Sequence, residues 1–104
     1  MQRNAFKMRL KPGAVAEYKK RHDEIWPELQ NTLRAAGISD YSIFLDEETL
    51  TLFASLKLAD RNSASDLPRA AVMRKWWDYM APLMEANDDN SPVAIPLIEV
   101  FRLD

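Results

Sequence analysis

Residues 41–58, YSIFLDEETLTLFASLKL, predict a β-hairpin and with it the centre of the fold. Apolar side chains alternate along both halves and fall on one face of each strand: Tyr41, Ile43 and Leu45 in the first half, then Leu50, Leu52, Ala54, Leu56 and Leu58 in the second. The polar stretch 46–49, Asp-Glu-Glu-Thr, is typical of the turn that joins such strands. The middle of the chain therefore forms two antiparallel neighbours that share an apolar face.

The chain before the hairpin predicts one strand and one long helix. Residues 3–11 alternate, with Phe6, Met8 and Leu10 on one side. The pair Pro12-Gly13 ends this strand and precedes a helical pattern from Ala14 to Ala36, in which apolar residues recur every three or four positions. Gly37 follows as the expected left-handed residue after the helix.

The chain after the hairpin repeats this plan. Residues 59–66 read as a polar loop, residues 67–85 as a second helix, residues 87–92 as a second loop and residues 95–103 as the last strand. The order βαββαβ with right-handed crossovers predicts an α+β, ferredoxin-like fold, a four-stranded antiparallel sheet with both helices on one face. The other face would expose apolar residues such as Phe44, Phe53 and Val100, so we expect a homodimer through that sheet face.

The composition restricts the class of protein. The 104 residues are 47% hydrophobic, which suits one packed domain covering residues 1–104. A formal net charge of −2 argues against nucleic acid as a partner, because phosphate binding needs a basic surface. No apolar run approaches the roughly 18 residues of a membrane span, and the N-terminus MQRNAFKMRL lacks the apolar centre of a signal peptide. We therefore expect a cytoplasmic protein with no membrane partner.

The residue counts also argue against cofactor and metal chemistry. The chain has no cysteine, so disulfides and thiolate sites are excluded, and one histidine makes a catalytic zinc site improbable. Two glycines leave no room for a glycine-rich phosphate loop. We expect neither a metal nor a cofactor, and the chemistry that remains is proton transfer.

That chemistry directs attention to the single histidine, His22. Tyr18, His22 and Trp26 are spaced four residues apart, so their side chains neighbour one another on a helix. An imidazole facing inward needs a polar partner, and its ordinary pKa of about 6.5 suits proton exchange near neutral pH. The residues alone are equally compatible with a structural, hydrogen-bonded histidine and with a catalytic one.

The second helix carries an adjacent tryptophan pair, Trp76-Trp77. Neighbouring helical residues point about 100° apart, so the apolar arc is wider than docking on a sheet requires. Both rings could belong to the core, or one could form the wall of a cavity. Pro27 and Pro82 fall inside helical patterns, where each either bends or restarts its helix or opens a pocket beside the aromatic residues.

Four segments resemble the L-rhamnose mutarotase family over essentially the whole chain. They are EYKKRHDEIWPEL (17–29), YSIFLD (41–46), KWWDYM (75–80) and NSPVAIPLIEVF (90–101), and the string from Arg21 to Leu29 together with the tryptophan pair is the most specific part. The resemblance implies a dimeric α+β barrel whose substrate is L-rhamnose. It also implies that His22 is the catalytic proton donor and that Tyr18, Tyr41, Trp76 and Trp77 contact the sugar.

The implied activity is interconversion of the α and β anomers of L-rhamnose or a close 6-deoxyhexose, by opening and reclosure of the ring. An acid–base group suffices for such a reaction. Two alternatives stay open at the level of sequence. One is a small α+β barrel oxygenase or isomerase of aromatic substrates, and the other is a sugar-binding dimer module without catalysis.

Overall fold

A computed structural model describes residues 1–104 and contains one four-stranded antiparallel sheet in the order β2-β3-β1-β4. The strands are Gln2–Arg9 (β1), Ile38–Asp46 (β2), Thr51–Leu58 (β3) and Ile95–Pro96 (β4). The helices are Val15–Asp23 (α1), Pro27–Ala35 (α2) and Ala71–Met80 (α3), and short 3-10 helices at Ala64–Arg69 and Ala81–Leu83 flank α3. This arrangement confirms the predicted α+β, ferredoxin-like class.

The core lies between one face of the sheet and the helices. β1 and β3 pair along their whole length, and this register places Met8 beside Leu52 and Phe6 beside Ala54. Leu29 of α2 and Leu52 of β3 are the largest side chains that are almost fully enclosed. The predicted apolar faces of the first three strands therefore point toward the helices, because burying alternate side chains is what the pleat allows.

The first helical segment differs from the prediction of one helix over residues 14–36. α1 ends at Asp23, and Trp26 adopts an extended backbone (φ −66°, ψ 131°) before Pro27 begins α2. A residue that precedes proline is driven out of the helical region by the proline ring, and proline is well tolerated in the first turn of a helix. Pro27 therefore restarts the helix, which was one of the two predicted outcomes.

The second helix is also shorter than predicted. α3 ends at Met80, and Pro82 lies in the 3-10 turn that follows. Proline has no backbone N–H, so the α-helical hydrogen bond from residue 82 to the carbonyl of Asp78 cannot form. The predicted helix over residues 67–85 is thus one α-helix between two 3-10 segments.

The prediction of a strand over residues 95–103 is wrong in length. β4 pairs with β1 only through Ile95 and Pro96, and the last backbone hydrogen bond to β1 runs from the N–H of Leu97 to the carbonyl of Ala5 at 2.9 Å. Residues 98–104, called here the C-terminal arm, have no regular structure and no buried side chain. Val100 lies on this arm and so does not belong to the sheet face, contrary to the prediction. No helix in the structure combines the length and the apolar character that a membrane span would need.

Candidate active site

His22 lies near the end of α1, and its ring orientation is fixed by the helix itself. Its Nδ1 is 3.0 Å from the backbone carbonyl oxygen of Tyr18, one turn earlier. A carbonyl only accepts hydrogen bonds, so Nδ1 carries the proton and donates it. In the neutral imidazole the lone pair is therefore on Nε2, the nitrogen left free to exchange a proton with a ligand.

The surroundings of His22 favour this neutral form. Burial lowers the pKa of His22 below its ordinary value of 6.5, and the hydrogen bond to Tyr18 and the charge of Asp23 oppose that shift only in part. Burying a charged imidazolium costs more free energy than burying a neutral imidazole, so burial favours the neutral form. At neutral pH the site therefore holds a proton acceptor rather than a proton donor.

Two tyrosines contribute neutral phenols to the same region. The ring of Tyr18 lies 4.3 Å from that of His22 between centroids, and burial raises the pKa of Tyr18 well above its usual value. Tyr41 enters from β2, and although 39% of the residue is exposed, burial of its phenol raises its pKa to about 12. Both hydroxyls keep their protons at neutral pH and are able to donate hydrogen bonds.

The two tryptophans both line the cavity but differ in burial. Trp76 is buried, and its ring meets that of His22 edge to face at a centroid distance of 5.3 Å. Trp77 is half-buried and lies in the cavity wall. The break before α2 brings Trp26 against these rings. Its ring centroid lies 5.1 Å from that of Trp76 and 5.5 Å from that of Tyr79, on which it stacks. Edge-to-face and offset arrangements of this kind stabilise aromatic clusters beyond simple burial.

Arg21 joins the two helices that carry these aromatic residues. Its Nε donates to Glu17 at 2.7 Å, and its guanidinium carbon lies 4.1 Å from the centroid of the Tyr79 ring. Its Nη1 also donates to the backbone carbonyl of Tyr79, near the end of α3. A carbonyl at a helix end lacks a partner within the helix, and a basic side chain satisfies it well. Sequence reasoning missed this contact, although Arg21 stands directly before His22.

All five residues predicted for the site line one cavity between the sheet and the helices. A groove of about 1100 Å³ contains Tyr18, His22, Tyr41, Trp76 and Trp77 in its wall, and a recess of about 80 Å³ beside His22 is lined by the same five. Small-molecule pockets commonly measure about 300–1,000 Å³. The recess alone is too small for a hexose, but the groove that shares these five residues with it has ample room. His22 is therefore neither sealed in the core nor exposed on a flat surface.

The cavity also includes residues that the sequence did not single out as ligand contacts. Four methionines lie around the recess, Met8, Met73, Met80 and Met84. Asn90 and Pro92 reach it from the loop over residues 87–92, and Asn90 Nδ2 donates to Asp78 Oδ1 of α3 at 3.0 Å. The left-handed backbone of Asn90 (φ 68°) is a conformation that asparagine tolerates better than most residues. No group of three histidine, aspartate or glutamate side chains comes together in the way a metal site requires.

Comparison with known proteins gives one consistent result. A family model described as L-rhamnose mutarotase matches residues 3–103. A protein named L-rhamnose mutarotase from Bacteroides thetaiotaomicron is 57% identical over 104 residues, covering 100% of both chains. A protein of the same name from Sinorhizobium fredii is 56% identical over 103 residues, covering 99% of both chains.

A solved structure agrees with the sequence relatives. The crystal structure of L-rhamnose mutarotase FA22100 from Formosa agariphila superimposes with a TM-score of 0.94 at 51% identity and covers 100% of both chains. The similarity therefore includes every element that positions the cavity.

Proposed function

This chain belongs to the L-rhamnose mutarotase family, and we infer from that membership that it interconverts the α and β anomers of L-rhamnose. We further propose that His22 is its acid–base group and that Tyr18, Tyr41, Trp76 and Trp77 contact the sugar. One observation carries this assignment. The only imidazole of the chain is held as a neutral Nδ1–H tautomer and lines a cavity together with the phenols and indoles.

Mutarotation requires that one proton leave the anomeric hydroxyl and one proton reach the ring oxygen. The bond between the anomeric carbon and the ring oxygen breaks, its electron pair goes to the ring oxygen, and an aldehyde forms. Neutral His22 begins as a base, and its Nε2 takes the proton of the anomeric hydroxyl. The imidazolium then delivers a proton to the ring oxygen, and both transfers reverse when the ring closes on the other face of the aldehyde.

The two oxygens that exchange protons are bonded to the same carbon atom, so a single Nε2 can serve both in turn. The phenols of Tyr18 and Tyr41 stay protonated because burial raises their pKa values, and they are suited to hydrogen bonding the sugar hydroxyls or the ring oxygen. The indole faces of Trp76 and Trp77 suit the apolar side of the sugar and its methyl group.

Exchange spectroscopy of L-rhamnose would test this role of His22. Saturation-transfer NMR with wild type and the His22→Ala variant should show anomer exchange slowed by about 10²–10⁴-fold in the variant, the usual contribution of a positioned acid–base group. Lys20→Ala is a matched control, because Lys20 is exposed on the same helix. Circular dichroism should report a folded protein in both variants. Unchanged exchange with His22→Ala would remove His22 from the mechanism.

We also propose that the chain, as one domain, acts as the protomer of a homodimer joined through the outer face of the sheet. The support comes from a row of neighbouring side chains, one from each strand, that faces away from the helices. In order across the sheet the row contains Phe44, Phe53, Lys7 and Ile95. Phe44 is 67% exposed and Ile95 51% exposed, and such a patch usually marks an interface. The apolar C-terminal arm begins at the β4 edge of this face and is equally uncovered.

Sedimentation equilibrium over a wide concentration range would test the dimer. The wild type should have twice the mass of one chain, and Phe44→Ser should shift the equilibrium toward the monomer, whereas Lys20→Ala should not. A monomeric wild type at every concentration would contradict the proposal. A cytoplasmic location is proposed with it, and cell fractionation with an antibody against the chain would test that.

A further inference from the structure

Strand β2 contains a β-bulge immediately before Tyr41. Ser39 pairs with Lys57 and Ser42 pairs with Ser55, so the two residues between them, Asp40 and Tyr41, stand opposite the single residue Leu56. A bulge of this kind adds one residue to one strand and changes the direction of the side chains around it. The extra residue therefore lies directly beside a tyrosine that lines the cavity.

The bulge has a specific consequence for the two ends of β2. Ile38 pairs with Leu58, and Ile43 pairs with Ala54, both residues of the buried face of β3. In an uninterrupted strand, residues five positions apart point to opposite faces. One additional residue between them restores a common direction, so Ile38 can fill the core while Tyr41 and Ile43 face the cavity.

Asp40 is the residue whose backbone makes this possible. Its φ is +48°, in the left-handed region that aspartate and asparagine tolerate better than other residues that have a Cβ. Its Oδ2 lies 3.6 Å from Arg3 Nη2 and 3.6 Å from Lys57 Nζ, on a side chain that is 58% exposed. Exposed pairs at that distance contribute little, so the conformation of Asp40 matters more than its charge.

We propose that Asp40 is a positioning residue that acts through Tyr41. It holds the left-handed backbone of the bulge and so aims the phenol of Tyr41 into the cavity that contains His22. The inference depends on the proposed function only where activity is measured, because the bulge itself is a property of the strand pairing.

Three substitutions at Asp40 separate backbone conformation from charge. Asp40→Ala removes the charge and disfavours a positive φ. Asp40→Gly removes the charge but permits a positive φ. Asp40→Asn removes the charge but keeps the shape of the side chain and its tolerance of a positive φ. We expect Asp40→Ala to lower kcat/KM for anomer exchange by about 10- to 100-fold, the effect of a small misplacement of a substrate-contacting group. Asn and Gly should rescue most of this loss, and Ser42→Ala, two residues further along the same strand, is the matched control.

A double-mutant cycle tests whether Asp40 acts through Tyr41. In the Tyr41→Phe background, Asp40→Ala should have a much smaller effect on kcat/KM than in the wild type, because the hydroxyl to be positioned is already gone. Equal effects in both backgrounds would show that Asp40 has only a structural role, and equal losses with Ala, Gly and Asn would assign the effect to charge. Either result overturns the proposal.

Two further measurements test the proposal if Asp40→Ala does not fold or if the wild type has no activity. If Asp40→Ala does not fold, the proposal then requires Asp40→Gly to be folded and active, and an inactive Gly variant contradicts it. Ultraviolet titration should show Tyr41 ionising at a lower pH in Asp40→Ala than in the wild type, because Tyr41 would lose the burial that raises its pKa to about 12. If the wild type itself fails to exchange rhamnose anomers, the proposed function fails, but this titration still tests the role of the bulge.

Discussion

The aromatic cluster of the helices and the C-terminal arm are both rich in apolar side chains, yet the structure treats them in opposite ways. In the cluster, Trp76 touches His22 and Trp26, and Tyr79 stacks on Trp26 and Arg21. On the arm, Ile98, Val100 and Leu103 are each more than 85% exposed. An apolar pattern therefore shows what a segment is able to bury, while a second surface at the right place decides whether burial occurs.

The largest effect in this comparison should come from the centre of the cluster. Trp76→Ala should lower the free energy of unfolding by about 3–5 kcal/mol, because it removes a large buried ring and leaves a cavity. Trp77→Ala should cost less stability, since Trp77 is half-buried, while still weakening rhamnose binding. Urea unfolding together with rhamnose titration would measure both effects. Equal stability losses for the two variants would show that Trp76 contributes no more to the core than Trp77 does.

A smaller effect should come from the contact that joins α1 to α3. Arg21→Ala should cost about 1–3 kcal/mol, because it removes hydrogen bonds from a charged donor that is only 20% exposed. Lys19→Ala is the matched control. Lys19 forms an exposed pair with Asp23 one turn further along the same helix, worth about 0.3–0.5 kcal/mol. Urea unfolding curves that shift equally for the two variants would mean that Arg21 does not link the helices.

The cluster should also make stability and activity depend on pH. The pKa of His22 lies below 6.5 in the folded protein and near 6.5 in the unfolded chain, so between these values the unfolded state binds more protons. Stability contributed by His22 is complete above pH 6.5 and falls as the pH decreases through the folded pKa. The free energy of unfolding of His22→Gln should lack this pH-dependent contribution. Parallel plots of unfolding free energy against pH for wild type and variant would contradict the prediction. The anomer exchange rate should rise with pH through the same pKa, because the proposed mechanism uses the neutral ring as the base.

The arm should give the smallest effect on the stability of the single chain. Phe101 is 78% exposed, so Phe101→Ala should change the free energy of unfolding of a dilute, monomeric sample by less than about 0.5 kcal/mol. If the proposed dimer forms, the same substitution should matter at high concentration. Unfolding curves at two concentrations would separate the two cases, and a large loss in the dilute sample would show that the arm packs against its own chain.

Local periodicity was enough to predict much of the fold. The alternation over residues 41–58 specified the hairpin, and the spacing of Tyr18 and His22 specified one helix face. The early ends of α1 and α3 had a visible signal in Pro27 and Pro82, because each proline removes a backbone donor. The length of the last strand had no such signal, because alternation describes the strand itself and says nothing about whether a neighbour continues beside it.

The candidate site was predictable where it depended on helical spacing and on the family resemblance. The five expected residues do line one cavity, while their chemical roles remain predictions. The bulge at Asp40 was missed because the alternation that predicted this strand begins at Tyr41, which leaves out Ile38. Ile38 and Ile43 are both apolar but lie five positions apart, so in a regular strand they would point to opposite faces. A bulge between them resolves this conflict. Asn90 reaches the site through a loop, and loop positions carry no periodic signal at all.

The hydrogen bond that orients His22 has a consequence for how this enzyme tolerates change. Its acceptor is a main-chain oxygen, which every amino acid at position 18 would supply as long as the helix persists. Many enzymes orient a catalytic imidazole with a carboxylate side chain, and a single substitution can delete that partner. Here the Nδ1–H tautomer needs no side-chain acceptor. In the proposed mechanism, substitutions that change the sugar contacts would therefore leave this orientation of the imidazole in place.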